Sequence, residues 1–276
     1  MVTEPALDPL TAPTDAAHTD AALGRALEDL AHRAWPPIRE RHLRGWVLRE
    51  SRGSSRRGNS VWARDRVDDL PAALREVRSF YSEAGLPPTF QITPMSQPEE
   101  LRRCLDDAGY DDSGATDVCV ADLDDLLAAI GGRASGGDGS VTVTLDPYPT
   151  PTWLEVAGQV LSTFGVERPG SLAVLGSLTA PTRYALLRRN SEPVAVGRAV
   201  SERGWMGIYS MATLPAARGY GAARAVLGAL ADWATDTGAR RATLQVEQTS
   251  TAARRLYAGL GFQPVYRYTY RRAPTS

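Results

Sequence analysis

Arg218-Gly219-Tyr220-Gly221-Ala222-Ala223 lies between an apolar, strand-like run, Trp205–Leu214, and an amphipathic helical pattern that begins near Gly221. Two glycines and two alanines at the mouth of a helix keep side chains away from its free N–H groups. Those amides and the positive end of the helix dipole suit a phosphate, and Arg218 adds a fixed charge just before the turn. The bland alternative is that Gly219 and Gly221 only shape a strand-to-helix turn. The lysine and Ser/Thr of a nucleotide-triphosphate loop are missing, and Arg224 stands where a dinucleotide fingerprint needs its third glycine. The pattern therefore predicts another kind of phosphorylated ligand.

Working outward, the run from Met211-Ala212-Thr213-Leu214-Pro215 into Arg218–Ala223 is followed by a strand, Ala242–Glu247. Then comes Ala253-Arg254-Arg255-Leu256-Tyr257-Ala258-Gly259-Leu260-Gly261-Phe262. In this order the segments resemble the GNAT superfamily of N-acetyltransferases, in its Arg-Gly-x-Gly-x-Ala loop and its Ala-x-x-Leu-Tyr-x-x-x-Gly-Phe helix. The resemblance is detailed over the last third of the chain and looser over everything after the middle. It implies acetyl-CoA as cosubstrate, entering a gap where strand 205–213 splays from strand 242–247. Backbone groups of Met211, Ala212 and Thr213 would pair with the pantetheine. Arg218 and the amides of Gly219, Tyr220, Gly221, Ala222 and Ala223 would hold the pyrophosphate.

The resemblance also implies direct attack by a primary amine in a ternary complex, with Tyr257 donating a proton to the leaving thiolate. The alternative for Tyr257 is a core tyrosine on an amphipathic helix. The base is open among a carboxylate, a tyrosine and a water chain, with Glu247 the first candidate and Glu202 the second. Where the family places a cofactor-contacting asparagine, this chain has Ser250, which is expected to cap the helix.

The 276 residues suffice for two domains, and no apolar run approaches a membrane span. Residues 1–20, rich in Ala, Thr, Pro and Asp, read as a disordered lead without a signal peptide. Cys104 and Cys119 lack metal-ligand spacing, and all three histidines precede residue 43, so no metal and a reducing cytoplasm are expected. Every basic residue is arginine. Residues 1–139 hold 16 arginines against 24 carboxylates, and residues 140–276 hold 15 against 8. An acidic half beside the cleft would favour a cationic small-molecule or peptide amine as acceptor. The arginines are scattered, which argues against nucleic acid.

The Gly-rich stretch 131–140 reads as a linker between residues 21–130 and 141–276. Each part is expected to be an α/β (α+β) domain with a mixed, mostly antiparallel sheet flanked by helices. The parts repeat one another: Gly85 corresponds to Gly238, Phe90-Gln91-Ile92 to Leu244-Gln245-Val246, and Gly109-Tyr110 to Gly261-Phe262. In this register the phosphate loop falls on Asp65-Arg66-Val67-Asp68-Asp69-Leu70, and Tyr257 on Leu105. Three carboxylates would repel phosphates, so the N-terminal half is expected to keep the fold without the cofactor site. A tandem protein with one degenerate half follows. A non-catalytic acyl-CoA sensor is the alternative, and the oligomeric state is not legible.

Overall fold

The computed structural model describes residues 16–131, 141–164 and 170–274. The first elements are α1 (Ala16–Arg33), β1 (Arg39–Leu43), β2 (Trp46–Glu50), β3 (Val61–Trp62), α2 (Leu70–Glu83) and β4 (Thr89–Ile92). Next come α3 (Leu101–Asp107), β5 (Asp111–Asp122), α4 (Leu123–Ile130), β6 (Val141–Asp146), α5 (Pro151–Val160) and α6 (Gly170–Gly176). The meander β7 (Thr182–Arg189), β8 (Glu192–Glu202) and β9 (Trp205–Thr213) leads to α7 (Ala222–Asp236). β10 (Arg241–Glu247), α8 (Thr251–Ala258) and β11 (Gln263–Arg272) close the chain.

One sheet contains all eleven strands, in the order β1-β2-β3-β4-β11-β5-β10-β9-β8-β7-β6. Its pairs are antiparallel except β3–β4 and β9–β10. The repeat seen in the sequence has a geometric counterpart. Gly85 and Gly238 end α2 and α7 at φ 64° and 90°, and Gly109 and Gly261 follow α3 and α8 at 74° and 86°. The two final strands have changed places. β5 precedes residues 131–140 in the chain but pairs with β10, Val118 opposite Gln245. β11 pairs with β4, Tyr270 opposite Gln91. β5 and β11 then pair with each other at the centre.

Alternation along the strands feeds both faces. On β7, Ala185 and Leu187 join α4 and α7 in one buried cluster. Tyr184 and Leu186 join Trp153, Val156 and Ala157 of α5 in another. A third cluster holds α2, α3 and β2–β4, and a fourth seats α1 on β5 and β11.

Several expectations need correction. α1 starts at Ala16, so the end of the expected disordered lead is helical; residues 1–15, and 132–140 of the expected linker, lie outside the described residues. The cap of α5 is Thr150, although the sequence Thr152-Trp153-Leu154-Glu155 reads as a capping box starting at Thr152. Its hydroxyl accepts from the Trp153 amide at 3.2 Å, and Pro151 takes the first helical position, which its fixed φ favours. β1, Arg-Glu-Arg-His-Leu, was not legible because four of its five residues are exposed and polar.

Candidate active site

The parallel pairing of β9 with β10 runs from Trp205–Arg241 to Ile208–Leu244. β9 continues to Thr213 and β10 to Glu247 without further pairing to each other, so the strands part beyond Ile208. The cause is a bulge on β9. Tyr209 faces Arg198 and Ala212 faces Val196, so Gly197 alone faces Ser210 and Met211. Ser210 has φ 52°, a left-handed conformation unusual outside glycine. Gly197 is required there, because a Cβ would lie 2.5 Å from the Met211 sulfur.

A cleft of 480 Å³ opens between Met211–Thr213, the loop Ala217–Arg224 and α8. Gly221 is the N-cap of α7, at φ 79°, and among the described residues no side chain caps this helix end. Met211, Ala212, Thr213, Arg218, Gly219, Gly221, Ala222, Ala223 and Tyr257 all line this cleft, as the sequence predicts for one site. The uncapped amides and the small walls (Ala217, Ala252, Ala253) fit an extended phosphorylated thioester. Arg218 is exposed, its Nε donating to the Thr213 carbonyl at 3.3 Å. Arg224 lines the same mouth, and its place there was hidden because the sequence marks it only as a missing glycine.

Tyr257 is 9% exposed, with its ring edge-on to Phe262 at 5.7 Å between centroids. Burial pushes its phenol up to about 12. It is thus both a cluster residue and a lining residue, so the two readings of its sequence position are compatible.

Four residues that the sequence analysis named stand outside this cleft. The Tyr220 side chain is 70% exposed beneath the Arg189 guanidinium, 5.0 Å from its ring centre. Ser250 precedes α8, but its side chain makes no capping bond, contrary to expectation; with φ −82° and ψ 62° its backbone is not in the extended form typical of a cap. Glu247 is ion-paired with Arg56 and lines a second cleft. Glu202 lines neither cleft; its Oε1 accepts from Arg33 Nε at 2.7 Å.

The second cleft, 580 Å³, lies across the bulge, with Tyr209 and Ser210 in its wall. It includes Trp35, Arg56, Arg57, Arg198, Gln245 and Arg272, and among the described residues Glu247 is the one carboxylate in its lining. The N-terminal half therefore presents arginines here, not the acidic wall inferred from its net charge. Arg57 donates to the Gln245 side-chain Oε1, which also accepts from the Tyr268 hydroxyl at 2.9 Å.

At the corresponding helix of the N-terminal half the geometry differs. Asp69 caps α2, its carboxylate accepting from the Ala72 amide at 2.9 Å. A carboxylate thus occupies the position that α7 leaves open.

The family model described as "Probable histone acetyltransferase Rv0428c C-terminal" matches residues 21–271. The "Uncharacterized N-acetyltransferase YobR" of Bacillus subtilis (strain 168) is 29% identical over 248 residues, covering 90% of this chain and 97% of that protein. Among solved structures, a GCN5-related N-acetyltransferase from Kribbella flavida superposes with a TM-score of 0.64 at 18% identity, covering 91% and 95% of the two chains. A tandem GNAT protein from the clavulanic acid biosynthesis pathway gives 0.59 at 14%, covering 78% and 77%. These structures share the fold.

Proposed function

The chain belongs to the Rv0428c C-terminal acetyltransferase family, and on that premise we propose that it is an acetyl-CoA-dependent N-acetyltransferase acting on a primary amine by direct attack in a ternary complex. The observation that carries this is the uncapped N-terminus of α7, opening on a cleft that Met211–Thr213 and Tyr257 also line. Acetyl-CoA supplies the activated acetyl thioester. The amides of Gly219–Ala223 and the guanidiniums of Arg218 and Arg224 hold phosphate charge. The backbone of Met211–Thr213, freed from β10 by the bulge, offers hydrogen-bonding groups to an extended ligand and to a developing oxyanion. Tyr257, with its raised phenol, keeps its proton throughout the neutral range and serves as a hydrogen-bond donor at the leaving sulfur.

The amine enters from the 580 Å³ cleft on the other side of the bulge. A free alkylammonium has a pKa of about 10 and must lose a proton before attack. Glu247, alone or through water, is the carboxylate placed to receive it. With α2 capped by its own aspartate, the N-terminal half contributes walls to the acceptor cleft and no second cofactor site.

The family's name suggests a histone-type acceptor, which would be a lysine-rich tail. Arg56, Arg57, Arg198 and Arg272 repel such a cation, so a small-molecule acceptor is the better reading. The test is thiol release from acetyl-CoA across a panel of primary amines. Amine-dependent release supports the enzyme; tight acetyl-CoA binding with release no faster than background hydrolysis for every amine would favour the sensor.

A further inference from the structure

The acceptor cleft contains a buried cation with no counter-charge among the described residues. Arg198 is fully buried; its Nη1 donates to the Ala34 carbonyl at 3.0 Å, while Nε and Nη2 have no partner among the described residues. Nε–H and Nη2–H form one edge of the guanidinium, the fork that matches two oxygens of a carboxylate or phosphate. Around the same cleft, the Nε of Arg57, the Nε1 of Trp35 and the hydroxyl of Ser54 are also buried and unpartnered among the described residues. These groups are N–H donors apart from the one hydroxyl. A buried charge ordinarily carries a partner, because its desolvation is costly without one.

We propose that the acceptor is an amine that also carries an oxyanion, a carboxylate or a phosphate, and that Arg198 binds that oxyanion. The proposal rests on the transferase reading and narrows its substrate class. Trp35 and Tyr209 pack on the Arg198 guanidinium, with ring centres at 5.5 Å and 4.8 Å, and so fix its plane. Burial first, then the neighbouring Arg57, lowers Arg198 to about 10, which leaves it cationic at neutral pH. Among the described residues, Tyr184, Tyr209 and Arg57 are the titratable groups that act on it, and no carboxylate is among them.

The test is thermal unfolding of the full-length protein with sodium acetate or sodium phosphate exchanged for sodium chloride, or with ethylenediammonium chloride exchanged for sodium chloride, at constant ionic strength, in wild type and in Arg198→Gln. A saturable rise in Tm with acetate or phosphate is expected, and the effective arm identifies the group. The rise should vanish in Arg198→Gln. Should that variant fail to fold, Arg57→Gln, with a partly exposed side chain, is expected to weaken the anion effect about tenfold. Equal Tm in all anions, an undiminished rise in Arg198→Gln, or stabilisation by ethylenediamine alone would overturn the proposal.

Calorimetry with acetyl-CoA separates the two claims. Acetyl-CoA binding without an anion effect removes the oxyanion site and keeps the transferase. An Arg198-dependent anion effect without acetyl-CoA binding removes the transferase and keeps the oxyanion site.

Discussion

At the residue scale, two titratable side chains carry the clearest expectations. Tyr257→Phe removes only the donor, so acetyl-CoA affinity should hold while kcat falls about a hundredfold or more. Because burial holds the phenol near 12, its ionisation lies above the working range. The loss should therefore be uniform from pH 6 to pH 9 in a pH–rate profile; a loss growing steadily with pH would contradict the role. His32 bears on stability. Its ring lies against Trp62, centroids 5.2 Å apart, and its Nδ1 is buried without a partner among the described residues. Desolvation, then Arg49, lowers it from 6.5 to about 4, although Glu40 lies 3.4 Å from Nε2 and opposes the shift. The unfolded chain binds this proton more readily, so the stabilisation is complete above pH 6.5 and disappears as pH falls towards 4. It amounts to about 3 kcal/mol. Urea unfolding at pH 7 and pH 4.5 should show a smaller acid loss in His32→Gln than in wild type.

At the scale of elements, α7 and α2 are two forms of one motif, distinguished by what stands at the N-cap. Gly221 leaves the amides of α7 open, and Asp69 closes those of α2. Gly221→Asp should copy the closed form. Aspartate tolerates a positive φ better than most residues, so the fold should survive. Acetyl-CoA affinity should fall on the order of a hundredfold, because a carboxylate then faces the phosphates. Unchanged affinity by calorimetry would detach the loop from the ligand.

This contrast was legible in the sequence, because glycine against aspartate at a helix start is a local signal. The loop, Tyr257 and the splayed strand were legible for the same reason. The bulge at Ser210 was not, since a serine in a left-handed conformation leaves no compositional trace. Nor were Trp35, Arg57 and Arg198 legible as one site: they come from three distant segments, and net charge averaged over a half-chain gave the wrong sign for the wall they form.

At the scale of the whole molecule, the repeat was visible as spacing, but the exchange of β5 and β11 was not. Both arrangements use the same strands with the same alternation, and only long-range pairing distinguishes them. The exchange ties the halves together. Residues 141–276 expressed alone would lack β5, leaving β10 with an open edge and β11 without either neighbour. Neither half should fold on its own, and mixing the two should restore the circular dichroism of the intact chain. Two fragments each with independent cooperative unfolding would contradict the exchange.

The central claim is one cofactor site per chain, at the open end of α7. Calorimetric titration of the intact protein with acetyl-CoA tests it most directly. A stoichiometry of one, abolished by Gly221→Asp, is the predicted result; no binding, or two equivalents bound per chain, would contradict it.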